Sequence, residues 1–180
     1  MALTDQSTRI REGEELDAAV IDQYLKAHIP GLTGEPRISQ FPGGASNLTY
    51  LLEYPHQEFV LRRPPFGHKA KSAHDMGREY RILNQLNAGF PYCPKAYVHC
   101  TDESVIGAEF YVMERVNGII LRSDMPAELN FSPEQTRELC KSFIDKMVEL
   151  HNVDYQACGL GDLGKPEGYV QRQIGGWSDR

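Results

Sequence analysis

The sequence predicts an α+β fold: an antiparallel sheet with a helix against it, followed by further helices. Four stretches carry that prediction. Gln40 to Arg63 reads as strand, glycine turn, strand, tight turn, strand. Glu109 to Met113 has the aromatic and β-branched content of another strand, and Ala96 to Cys100 is a further short one. Ser132 to His151 opens on a helix-start signal and keeps an apolar stripe to its end.

In chain order, Met1 to Gly13 is polar and reads as a loose terminus. Glu14 to Ile29 predicts an amphipathic helix with Leu16, Val20, Tyr24 and Leu25 on one face and acidic residues in its first turn. Pro30-Gly31 ends it. Phe41 then leads into Pro42-Gly43-Gly44-Ala45-Ser46-Asn47, small residues that can bring main-chain N–H groups close to a ligand. Leu48 to Leu52 is the next strand and Tyr54-Pro55-His56-Gln57 a turn. Phe59-Val60-Leu61-Arg62 is the third strand, stopped by Pro64-Pro65, and Pro64 to Lys71 is a loop.

A second helix starts at Ser72 or Asp75 and runs to about Asn87, with Gly89 as its left-handed cap. Met76, Leu83 and Leu86 are its apolar positions, and Glu79 falls on the same face. A carboxylate there needs a partner, because an unpaired buried charge is costly. Arg62 is one choice; a partly exposed pairing with Arg78 or Arg81 is the other. Further on, Thr101 to Ser104 is a turn, Asn117-Gly118 is another turn signal, and Ile119-Ile120-Leu121 is one more short strand. Arg122 to Phe131 is an irregular connection. In the third helix Ser132 is the N-cap, Pro133 the first helical residue, and Gln135 closes a capping box. Its stripe of Leu139, Cys140, Phe143, Ile144, Met147 and Leu150 is expected to be well buried. The tail from Cys158 is glycine-rich, with Tyr169 and Trp177 as its large apolar groups.

The totals narrow the function. At 180 residues the chain can form one ample domain or two modest lobes. A net charge of −6 without a stripe of Lys and Arg argues against a nucleic-acid partner. No apolar run is long enough to span a membrane, and no apolar secretory segment opens the chain, so a cytoplasmic location is expected. The four cysteines form no C-x-x-C and the six histidines are scattered, so reduced thiols and no metal site are expected.

A glycine turn over a hairpin, followed by a strand ending in a cation, suits a polyphosphate. The turn supplies N–H donors and the cation supplies charge. At Phe59-Val60-Leu61-Arg62, Glu79 and Tyr111 to Val116 the order of elements resembles the amino-terminal half of the protein-kinase-like fold. More closely, GGASNLTYLL, VLRRPP, SAHDMGREYRIL, FYVMERVNG and GYVQRQIGGW resemble the aminoglycoside phosphotransferase-like (choline-kinase-like) small-molecule kinases. Within these they are similar to the kinase-like domain found with some acyl-CoA dehydrogenases, and to its free-standing bacterial relatives. The resemblance covers Ile38 to Arg180. It implies a helical extension over residues 1–35, a nucleotide-binding lobe over 36–116, and the start of a helical second lobe over 117–180.

By that resemblance Gly43, Gly44, Ser46 and Asn47 would hold the phosphates of ATP. Arg62 would contact the α and β phosphates, held by Glu79. Met113 would line the back of the adenine pocket, with the Glu114 carbonyl and the Val116 N–H bonding the base. Two departures are visible: Arg62 stands where protein kinases have lysine, and the glycine turn is not G-x-G-x-x-G. The family's His-Gly-Asp segment, with its catalytic Asp and metal-binding Asn, and its D-x-D-like segment are absent from these residues. Asp162 reads as a surface loop residue. The expectation is therefore a small-molecule kinase moving the γ-phosphate to a hydroxyl acceptor, with ATP and Mg²⁺ as cofactors. Family context suggests a hydroxyacyl-CoA as acceptor. Neither a catalytic residue nor a metal ligand is expected within this chain, which would then be inactive alone. The third helix would pack on further residues, so the chain alone is expected to self-associate or form a homodimer through it. The competing readings are a nucleotide-sensing or interaction module without catalysis, and a domain whose glycine turn only closes a hairpin.

Overall fold

The computed structural model describes residues 4–42, 47–67, 74–121, 124–165 and 167–178. The elements in order are α1 (Ala18–His28), β1 (Arg37–Gln40), β2 (Leu48–Glu53), β3 (Glu58–Arg63), α2 (Met76–Leu86), β4 (Ala96–Cys100), β5 (Phe110–Glu114), α3 (Pro133–His151) and α4 (Tyr169–Ser178). The five strands form one antiparallel sheet in the order β1-β2-β3-β5-β4. β2 and β3 pair over six residues without a slip, from Leu48 opposite Arg63 to Glu53 opposite Glu58. The Tyr54 N–H closes their turn onto the Gln57 carbonyl at 2.9 Å.

Strand pleating divides this sheet into two faces. Tyr50, Leu52, Phe59, Leu61, Phe110 and Val112 turn to one side and form the core with Ile21, Leu25 and Ile29. Val60, Arg62, Tyr111 and Met113 alternate with them and turn to the other side, where α2 lies across β4 and β5. The two adjacent arginines of β3 are therefore parted. Arg63 is 2% exposed; it donates to the carbonyls of Pro64 (3.2 Å) and Ile106 (3.0 Å) and lies 3.8 Å over the Phe66 ring. Burial pulls its guanidinium below the usual range.

Several local expectations are corrected. α1 starts at Ala18, because the Asp17 carboxylate accepts the N–H groups of Ala19 (2.9 Å) and Val20 (3.2 Å) as N-cap. Glu14 and Glu15 thus precede the helix, and its buried stripe is Ile21 and Leu25 while Val20 is exposed. α2 is capped by Asp75, whose carboxylate accepts the Arg78 N–H at 2.8 Å. It ends through Asn87 in a right-handed conformation, so Gly89 is not a left-handed cap. Gly89 is needed for space instead: a Cβ there would stand 2.9 Å from Cys158 Sγ and 3.2 Å from Val153 Cγ1. Ile119 to Leu121 form no strand and are exposed, and Asn117-Gly118 runs on without a regular turn.

The Ser132–Gln135 capping box and the end of α3 at His151 are as predicted. Its apolar stripe is not buried: Phe143 is 64% exposed and Ile144 54%. Among the described residues the chain offers that stripe too little cover. α4, within the tail, was not predicted; Val170, Ile174 and Trp177 on it are exposed.

The N-terminal segment is not loose over its described part. Thr8 bridges Gln40 of β1 by two main-chain hydrogen bonds of 2.7 and 3.0 Å. Among the described residues, no helix is long and apolar enough to cross a membrane.

Candidate functional site

β3 presents Arg62, and α2 presents Glu79 one turn into the helix, to the same side of the sheet. Arg62 Nη1 stands 3.6 Å from Glu79 Oε2. The Tyr111 hydroxyl donates to Oε2 of Glu79 at 2.9 Å, and the Asn47 amide donates to Oε1 at 3.0 Å. With its nitrogen turned to Glu79, Asn47 offers its oxygen to His74 Nδ1, 2.7 Å away, so Nδ1 carries the proton and donates. Burial pushes the Tyr111 phenol well above its ordinary value, which keeps it a neutral donor. Arg62 and Glu79 are both half-buried, and Arg62 Nε is enclosed with no hydrogen-bond partner among the described residues.

The alternative partners of Glu79 are otherwise occupied or directed. Arg81 projects from the opposite face of α2 and pairs with Asp162, with Nη1 to Oδ2 at 3.0 Å, and donates to the Gly159 carbonyl at 2.8 Å. Asp162 is an exposed loop residue, as expected, and this pairing holds its carboxyl below the usual range. Arg78 is exposed.

Two cavities meet at Pro94 and Met113. The larger, about 540 Å³, runs under the sheet past Phe41, Val60, Met113, Glu114 and Val116. The smaller, about 350 Å³, holds Arg62, Glu79 and Tyr111 together with Leu83 of α2. Five predicted site residues are thus distributed along one trough, with Met113 at its middle. At the far lip Glu114 is fixed twice to Lys95: its N–H donates to the Lys95 carbonyl (2.8 Å) and its carboxylate accepts the Lys95 N–H (3.1 Å). The Val116 N–H finds no main-chain partner among the described residues. Asn47 joins the Glu79 cluster, where its amide is already engaged on both atoms. Gly43, Gly44 and Ser46 lie outside the described residues.

Such a trough, apolar along its walls, with main-chain groups at one end and a paired guanidinium at the other, can hold a flat apolar body with an anionic tail. Sequence reasoning missed Tyr111, although its period-2 spacing to Met113 puts both on one strand face. It also missed His74, which no periodic signal marks, and Asp5, whose segment was read as loose. Among the described residues, no group of three or more His, Cys, Asp or Glu could hold a metal ion.

Comparison with known proteins identifies the family and the fold. The model of the phosphotransferase enzyme family matches residues 37–180. Acyl-CoA dehydrogenase family member 11 of Rattus norvegicus is 33% identical over 99% of this chain and 23% of its own length. The Gallus gallus protein of that name is 34% identical over 98% and 23%. The chain spans less than a quarter of these curated relatives. A crystal structure from Ralstonia eutropha, described as that of a candidate aminoglycoside phosphotransferase, superimposes with a TM-score of 0.77 at 36% identity. It covers 92% of this chain and 47% of the other. The trough thus lies in a kinase-like sheet, and the chain belongs to the phosphotransferase enzyme family.

Proposed function

We propose that this chain supplies the nucleotide-binding part of an ATP-dependent small-molecule kinase. The observation that carries the reading is the Arg62–Glu79 pair at the end of an apolar trough. The adenine lies against the sheet face formed by Val60 and Met113 and meets the main chain at Glu114 and Val116. Arg62, oriented by Glu79, faces the α and β phosphates with the guanidinium donors that Glu79 leaves free. The glycine-rich segment Gly43, Gly44 and Ser46, outside the described residues, is assigned to the phosphates by the family resemblance alone. A bound Mg²⁺ would supply charge neutralisation at the phosphates, and none of the described residues is proposed as its ligand.

The whole protein moves the γ-phosphate to a small hydroxylated acceptor in the cytoplasm. The acyl-CoA dehydrogenase names of the relatives favour a hydroxyacyl-CoA as that acceptor. The isolated 180 residues are expected to bind nucleotide without turnover. Isothermal titration with ADP and ATP, with a coupled kinase assay on the same sample, tests both statements. Binding that weakens sharply in Arg62→Ala, with no turnover, is the expected result. No heat of binding with either nucleotide overturns the reading. Binding that is indifferent both to Mg²⁺ and to the γ-phosphate favours a sensing or interaction module.

A further inference from the structure

β1 is an edge strand, and an uncovered edge leaves N–H and C=O groups unpaired. Residues 5–11 form a strap that pairs with its Ser39–Gln40 end. Besides the two main-chain bonds between Thr8 and Gln40, Ser39 Oγ donates to Ser7 Oγ at 2.7 Å. The Gln40 side chain, 1% exposed, accepts the Arg11 N–H at 2.9 Å and donates to Glu14 at 2.5 Å. Fixed in this register, the strap carries Asp5 to the mouth of the larger cavity, which it lines together with Met113, Glu114 and Val116.

Arg115 fastens it there. This residue lies between the two base-facing positions, and its side chain is only 14% exposed. Its Nη2 donates to the Asp5 carbonyl at 3.3 Å, its Nη1 stands 3.4 Å from Glu58 Oε2, and the guanidinium carbon is 5.7 Å from the centre of the Phe41 ring. One planar group with several donors thus joins the connector after β5, the start of β3, the exit of β1 and the strap. A lysine would bring its charge as a point and could not hold these partners at once.

We propose that the N-terminal strap is a wall of the nucleotide cleft, latched by Arg115, and sets the affinity for the nucleoside part of the ligand. This rests on the nucleotide reading above. The strap borders the cavity of Met113 to Val116 and not that of Arg62, so its contribution is independent of phosphate number. The Arg62 contribution grows with it.

The test is calorimetric titration of the 180-residue chain with adenosine, ADP and ATP. The variants are Arg115→Ala, Arg115→Lys, a chain beginning at Ser7, and Arg62→Ala, with melting curves to check folding. The Arg115 variants and the shortened chain are expected to bind all three ligands about three- to tenfold more weakly, by a similar factor for each. The shortened chain keeps the Thr8 bridge and decides the matter if Arg115→Ala does not fold. Folded variants that bind like the parent, or losses that climb from adenosine to ATP, overturn the proposal while leaving the nucleotide reading intact. A parent chain that binds none of the three overturns both.

Discussion

Asn47 and Arg62 meet at opposite oxygens of one carboxylate. Glu79 Oε1 accepts the Asn47 amide at 3.0 Å, while Oε2 faces Arg62 at 3.6 Å and accepts the Tyr111 hydroxyl at 2.9 Å. The carboxylate thereby fixes Asn47, the cation of β3 and a phenol of β5 in one place. On the proposed nucleotide reading, removing Arg62 would take away charge-assisted bonds to the phosphates, so Arg62→Ala should weaken ATP by about 1.5–3 kcal/mol, roughly ten- to 150-fold. Glu79→Gln keeps the shape, but its amide now meets a donor on at least one side. It should weaken ATP less and cost about 1–3 kcal/mol of stability. Titration calorimetry and urea unfolding measure the two effects, and an Arg62→Ala chain with unchanged ATP affinity would sink the assignment.

Gly89→Ala is expected to destabilise the chain. Alanine ordinarily gains about 0.4–1 kcal/mol over glycine by restricting the unfolded chain. Here the new methyl would meet Cys158 Sγ at 2.9 Å and Val153 Cγ1 at 3.2 Å. Overpacking of this kind costs about 1–3 kcal/mol, which outweighs the gain. Adding Cys158→Ala should restore part of the loss. A Gly89→Ala chain that melts higher than the parent would show that the turn after α3 gives way freely.

The strap should loosen in acid. The hydrogen bond from Gln40 is the main cause that holds the Glu14 carboxyl below its ordinary 4.5, with Arg11 adding to it against the opposing effect of burial. A group with a lowered folded value stabilises fully above 4.5 and loses that contribution as the pH falls through the lowered value. Amide-exchange protection at Thr8 and Arg11 should therefore hold at neutral pH and drop in that acidic window. Glu14→Gln should flatten the dependence. Protection in the parent that does not change across the window would count against it.

Self-association is the expected behaviour of the chain alone. Phe143, Ile144 and Val148 on α3 and Val170, Ile174 and Trp177 on α4 are all more than half exposed. Two such faces in one chain favour burial against a second copy. Sedimentation velocity should show mass rising with concentration, and Ile144→Glu should reverse this. A parent that stays monomeric at every concentration would rule it out.

What the sequence revealed was whatever depends on local pattern. Alternation along Phe59-Val60-Leu61-Arg62 is enough to put Arg62 on the face away from the core, and Ser132, Pro133 and Gln135 announce the start of α3. Periodicity also put Glu79 on the inner face of α2, but it could not choose among Arg62, Arg78 and Arg81. That choice depends on which arginine shares the inner face with it. The strap escaped notice because edge pairing through Thr8 and Gln40 uses main-chain groups and polar side chains, with no apolar rhythm to betray it. Gly89 was misread because its constraint comes from Cys158, far along the chain. The stripe of α3 told which side of the helix is apolar and said nothing about what covers it.

The division of labour between Arg62 and Arg63 has a consequence for how the gene can vary. The β2–β3 ladder runs without a bulge from Leu48 opposite Arg63 to Glu53 opposite Glu58. Losing one codon inside β3 would therefore invert every side chain beyond the lesion: the buried arginine would swing to the side of Glu79, and the one paired with Glu79 into the core. Losing two would leave both on their own sides. The charge at the end of the cleft is set by parity, and an even count between the turn at Gln57 and Pro64 keeps it there.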